Sequence, residues 1–267
     1  MKKKNSPFLP LYYLFLVLIM AAFTTSCEEI TNRPAQKPLT VIDWPETPMP
    51  LWEVILLKPK TESIEAFVAN VKAHNEKYHQ VEGMSTTLRY YSSGKHAGFY
   101  SWAEGPMQMD YLDNKEMLEG HQEDWMNNVM PLVAEEGPAN MYRFITPLSN
   151  MTIDPSSNPS KILEVQQFSV KKGSRKTVND LLNNYRHAAQ FPVPYAVIVP
   201  TQDNGDHVDF ALVWHYDSFG AMDGAWEGYS ANKMLDSVYG KRVRKKMWDD
   251  WQENVTLVGS YVAQSVD

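Results

Sequence analysis

The second half of this chain repeats the order of the first. Trp52-Glu53-Val54 is matched by Leu163-Glu164-Val165, 111 positions on. Gly94-Lys95-His96-Ala97-Gly98-Phe99 is matched by Gly205-Asp206-His207-Val208-Asp209-Phe210 at the same spacing. Asp124-Trp125-Met126-Asn127-Asn128-Val129 is matched by Asp250-Trp251-Gln252-Glu253-Asn254-Val255, 126 positions on, so the second copy carries about 15 additional residues before its last helix. Three matches in one order indicate a duplicated unit of about 100 residues, large enough to bury its own core. Each copy opens with an apolar run too short for a helix, Leu51–Leu57 or Ile162–Val170. An amphipathic helix follows, its stripe Ile64, Phe67, Val68 and Val71 aligning at 114 with Val178, Leu181, Leu182 and Tyr185. Two strands then flank a glycine turn: Thr86–Tyr91 and Gly98–Trp102, then Tyr195–Val199 and Val208–Trp214. A second helix presents Trp125, Val129, Leu132 and Val133, or Val243, Met247, Trp248, Trp251 and Val255. A short strand, Met141–Thr146 or Ser260–Gln264, closes each copy.

The order β-α-β-β-α-β is the split, ferredoxin-like α+β unit. Its antiparallel sheet carries helices on one face and leaves the other apolar, so two units on one chain can cover each other sheet to sheet. Phe168-Ser169-Val170-Lys171-Lys172-Gly173 and Leu56-Leu57-Lys58-Pro59-Lys60 stand at the first strand–turn–helix junctions. On these patterns residues 51–148 and 161–267 resemble the dimeric α+β barrel superfamily, whose branches include antibiotic-biosynthesis-monooxygenase-like, stress-responsive and NIPSNAP-like proteins. The resemblance implies two tandem units forming an intramolecular dimeric α+β barrel, a monomeric pseudo-dimer, and cofactor-free or haem-linked oxidation. No catalytic motif of a named branch carries over residue by residue. Two independent ferredoxin-like domains are the alternative arrangement.

Residues 1–27 read as a targeting segment: Lys2, Lys3 and Lys4, an apolar run from Leu9 to Phe23 too short for a comfortable membrane span, then Thr24-Thr25-Ser26-Cys27. This resembles the lipobox of bacterial lipoproteins, with Thr24 in place of the usual aliphatic residue. The resemblance implies cleavage before Cys27, the chain's only cysteine, and lipid on its sulfur. Two or more acyl chains hold a protein on a bilayer where one does so only marginally. Loss of residues 1–26 removes three lysines and no acidic residue, taking the formal charge from −7 to −10. So acidic a body argues against nucleic acid as a partner and leaves the lipid as the anchor. Glu28-Glu29 resembles surface-export signals of some Bacteroidetes lipoproteins, with the periplasmic face of the outer membrane as the other destination. Residues 28–50, with five prolines, read as a tether, and 149–160 as a linker.

Glu53 and Glu164 stand inside otherwise apolar strands, where a carboxylate needs a partner and burial raises its pKa. His96 and His207 follow the turn glycines and could form a polar pair at a barrel mouth. Trp102 and Trp214 end the third strands, and eight Trp, fourteen Tyr and ten Phe would suit either a filled core or an aromatic-lined cavity. His74 and His187 fall late in the first helices, 113 apart and so out of step with the stripes. No His, Asp or Glu spacing matches a metal-site pattern, and the chain has no P-loop, dinucleotide fingerprint or nucleophile elbow. Lys241–Lys246 is the one basic run, on a helix. The expectation is an envelope lipoprotein binding a small apolar or aromatic ligand in its barrel. An oxidative enzyme of the superfamily is the first alternative. A partner-binding module using the insertion near Tyr229–Lys241 is the second.

Overall fold

The computed structural model describes residues 48–80, 84–114, 118–151, 160–202 and 207–266. Cys27, the signal segment, nearly all of the tether and most of the linker lie outside the described residues. The first half runs β1 (Leu51–Pro59), α1 (Ile64–Tyr78), β2 (Ser85–Tyr91), β3 (Tyr100–Met107), α2 (Met109–Asn114) and α3 (His121–Asp124). A π-helical turn over Trp125–Val129 and a 3-10 turn over Met130–Leu132 lead into β4 (Val133–Phe144). The second half runs β5 (Ile162–Val170), α4 (Arg175–Ala189), β6 (Tyr195–Pro200), β7 (Phe210–Tyr216), α5 (Phe219–Gly224), α6 (Ala231–Tyr239), α7 (Lys241–Asn254) and β8 (Val255–Ser265). Among the described residues no helix is long and apolar enough to cross a membrane.

The eight strands close one antiparallel barrel in the order β1-β3-β2-β8-β5-β7-β6-β4. Each half supplies four neighbouring strands, and two seams join the halves. Arg89, Tyr90 and Tyr91 of β2 pair with Ser265, Gln264 and Ala263 of β8. Tyr142, Arg143 and Phe144 of β4 pair with Pro200, Val199 and Ile198 of β6. This is the shared, intramolecular dimeric α+β barrel rather than two separate domains. Strand alternation gives every strand an inner and an outer face. Inside, Tyr91 and Tyr261 stack at 4.5 Å, and Leu56, Phe99 and Ala263 pack with them. Trp52, Phe144, Val165 and Val213 fill the neighbouring part of the lumen. Outside, Leu57, Leu88 and Trp102 meet Phe67, Val71 and Val129 from the helices of the first half. Phe168, Val197 and Trp214 meet Val178 and Leu182 in the second.

Two details of the repeat differ from the sequence reading. The first helices, α1 and α4, are both fifteen residues long and start 111 apart, as β1 and β5 do, rather than 114. The buried stripe of α1 contains His74 and Tyr78 beside Phe67 and Val71. A match based on apolar residues alone skips those two and slides by a turn. Trp125 packs against His74 and Trp251 against Tyr185, so the two tryptophans occupy like places 126 apart. Yet β4 opens at Val133 and β8 at Val255, so both valines are strand residues rather than helical ones. The extra residues after Trp125 are taken up by the π and 3-10 turns. The insertion of the second copy forms α6, whose Leu235 and Tyr239 are buried against Leu181, Ala188 and Met247. In the basic run, Arg244, Lys245 and Lys246 bond Asp236, Asp249 and Asp250, which makes most of it a paired helix face.

Candidate metal centre

Three segments of the first half converge where the end of α1 overlies the sheet. The last turn of α1 buries His74 and Tyr78, four residues apart on one face. His79 ends the helix, its backbone N–H donating to Asn75 O at 3.0 Å, and its ring lies buried next to β3. On β3 the alternation that turns Trp102 toward the helices turns Glu104 the same way, leaving its side chain almost fully buried. Across from them α3 presents His121 and Asp124, three residues apart, and the π turn continues with Trp125. Single π turns often mark functional sites.

The distances are those of an organised polar cluster. A carboxylate only accepts, so His79 donates its Nδ1–H to Glu104 Oε1 at 2.6 Å, and His74 donates its Nδ1–H to Asp124 Oδ2 at 2.7 Å. Asn128 Nδ2 donates to the second oxygen of Asp124 at 2.8 Å. In its neutral form each of these imidazoles carries its lone pair on Nε2. His121 Nε2 lies 3.0 Å from His79 Nε2. The candidate ligand atoms of His74, His79 and His121 all fall within 4.8 Å of one another. Tetrahedral coordination with metal–nitrogen bonds of 2.0–2.1 Å places its nitrogens about 3.3 Å apart, so an ion would draw in a group already assembled. Trp102 and Trp125 wall the cluster, 5.1 Å from His79 and 4.9 Å from His74, and the Trp102 indole donates to Asn75 Oδ1 at 2.9 Å.

Burial holds the His74 pKa below its ordinary value, outweighing the hydrogen bond to Asp124, and the neighbouring His79 lowers it further. The neutral imidazole is the form that binds metal. The hydrogen bond from His74 in turn holds the Asp124 carboxyl below the usual carboxylate range. Glu53 registers directly opposite Glu104 across β1 and β3. The lowered pKa values of His74 and Asp124 leave an imidazole donor beside a carboxylate, a pairing that would suit a divalent cation.

The residues singled out in the sequence divide between this cluster and other places. Glu53 and Trp102 border it. Glu164 lies in the corresponding layer of the second half, accepting from Tyr216 Oη at 3.2 Å and Gln166 Nε2 at 3.4 Å. Burial raises its pKa against both bonds. Both glutamates share a strand face with residues that meet the helices, rather than the face that lines the barrel lumen. Trp214 is buried among Phe191, Tyr195 and Trp226. Trp102 and Trp214 are not counterparts: opposite Glu53 stands Glu104, whereas opposite Glu164 stands Trp214. His96 packs on Phe99 in its own turn, and His207 is exposed with φ +53°. Neither joins the cluster. At the 111 spacing the second half has Tyr185 for His74 and Gln190 for His79, and His187 is exposed.

Sequence spacing missed His79, His121, Glu104 and Asp124. Five residues from His74 to His79 fits no single helical face, because His79 lies beyond the helix end. Glu104 did carry a signal, a carboxylate within an apolar strand, the same one that marked Glu53 and Glu164.

No family model and no curated protein matches the sequence. The fold does match solved structures. A candidate monooxygenase from Fusobacterium nucleatum subsp. nucleatum ATCC 25586 superposes with a TM-score of 0.52 at 11% identity, covering 82% of this chain and 94% of that one. A candidate monooxygenase from Lactobacillus acidophilus NCFM gives 0.50 at 11% identity, covering 82% and 93%. A haem-binding protein from Thermus thermophilus gives 0.45 at 10% identity, covering 83% and 95%. The two candidate monooxygenases show the same dimeric α+β barrel fold and leave the chemistry to this chain's own residues.

Haem can be tested on those residues. A haem iron can be held by one histidine, and here three histidine ligand atoms lie within 4.8 Å of one another. The three histidines of the first half suit a single bare ion, whereas a haem would use one of them and leave the other two without a role. In the second half the same layer is filled by Phe191, Trp214, Trp226 and Tyr229 in mutual contact. Its described histidines lie elsewhere: His187 and His207 are exposed, and His215 bonds Ser160 Oγ at 3.2 Å.

Proposed function

We propose that this protein is a lipid-anchored metalloprotein of the bacterial envelope, holding one first-row transition ion on His74, His79 and His121. One observation carries the reading: two buried imidazoles whose Nδ1 protons are fixed by carboxylates, with a third imidazole nitrogen beside them. Metal-binding histidines are oriented in this way, and imidazole donors favour zinc, copper, nickel or iron over calcium and magnesium. The functional centre then lies between the sheet and helices of the first half, while the barrel lumen serves as core. Lys2–Lys4, the short apolar run and Cys27 support the anchor, and the acidic body supports lipid rather than protein charge as the membrane contact.

Titration of the metal-stripped full chain in detergent with Zn2+ should give one site per chain. Ala at all three histidines should lower the affinity at least 100-fold. Equal affinity for the wild type and the triple variant would overturn the metal reading. The anchor is tested separately by palmitate labelling in cells, which Cys27→Ala should abolish.

A further inference from the structure

Building on that metal reading, we infer that the ion keeps a coordination position for a ligand from outside the chain. The centre would then act on a small anion or other compact oxygen or nitrogen donor, rather than serve as a structural clamp. Structural zinc sites take four protein ligands, whereas catalytic ones take three and leave the fourth to water or substrate. The groups around the three histidines are committed elsewhere. Asp124 uses one oxygen on His74 and the other on Asn128. Glu104 holds His79 through Oε1. Both carboxylates sit against Nδ1, on the opposite edge of each ring from Nε2. Asn75 gives its side-chain oxygen to the Trp102 indole. Tyr78 meets the His121 ring edge to face, at 5.2 Å and 89°. His74 and His79 are buried and His121 is partly exposed, so a ligand from solvent approaches on the His121 side. Trp102 packs on His79 and Trp125 on His74, so the surroundings are partly apolar and a metal-bound anion would be weakly screened. Glu53, on the sheet opposite Glu104, is a carboxylate that could close the site.

Cobalt and azide test this directly. The full chain in detergent is loaded with one equivalent of Co2+ and its visible spectrum followed as azide is added. The expected result is a saturable band shift with one azide per cobalt, retained in Glu53→Gln. Cobalt bands that ignore azide in the wild type would overturn the open position. A response confined to Glu53→Gln would overturn it too and make Glu53 the fourth ligand. If the wild type gives no cobalt bands beyond those of a His74→Ala/His79→Ala double variant, the metal reading fails, and this inference with it. Far-UV circular dichroism on each variant separates loss of the site from loss of the fold.

Discussion

A proton on the wrong ring nitrogen would leave His79 unable to bind metal, and Glu104 prevents that. Gln in place of Glu104 removes the carboxylate that fixes the tautomer and that would balance the proposed ion. Glu104→Gln should weaken Zn2+ about 10- to 100-fold in a chelator competition, the usual cost of losing such a carboxylate. Glu164→Gln, the same change in the other half, should leave the affinity as it was. A second residue controls stability in acid. Burial, reinforced by the charge of Arg89, lowers the His215 pKa to about 4. A group whose folded pKa lies below its unfolded value near 6.5 stabilises the protein above the higher value. That stability is lost as pH falls from about 6.5 to 4, where unfolding pulls protons onto the ring. His74, also depressed, adds to the same limb. Urea unfolding across this range should show a shallower decline in His215→Gln than in the wild type. Of these residues Glu164 and His74 stood out in the sequence, and Glu104 did not. His121 and Asp124 looked like any polar residues on a short helix, because their significance depends on what lies across from them.

At the level of elements, turns and helix ends decide how well the halves fit. Gly94 has φ +82°, and a Cβ there would lie 2.5 Å from Ser260 O and 2.7 Å from Tyr261 Cβ on β8. Gly173 has a similar φ of +88° with open space around it. Gly94→Ala combines left-handed strain with a clash against backbone and should cost more than about 2 kcal/mol, whereas Gly173→Ala should cost about 1 kcal/mol. Equilibrium denaturation of the two variants measures the difference, and equal losses would mean that the hairpin does not lock the seam. The strands and main helices were legible from alternation and helical stripes. The π turn over Trp125–Val129 was not, since its residues also suit an ordinary helix. What distinguishes it is the distance left between Trp125 and the start of β4, a tertiary constraint.

On the scale of the molecule, two short seams hold two halves together. Residues 48–151 alone would expose the paired edges of β2 and β4 and the apolar side chains of the lumen. That fragment should run as a dimer or larger species in light scattering. A stable monomer would show that the halves do not depend on each other. The duplication made the shared barrel readable from sequence, because a one-sided sheet needs a cover and the chain supplies two. Which layer would carry chemistry was not readable, since both copies have similar strands. The fused arrangement has a genetic consequence. In a barrel made of two identical chains, every mutation arrives twice, once on each side of the dyad. Here each is inherited once. One half could acquire His74, His79 and His121 while the other filled the matching layer with Phe191, Trp214 and Trp226. Neither change had to be tolerated in both places.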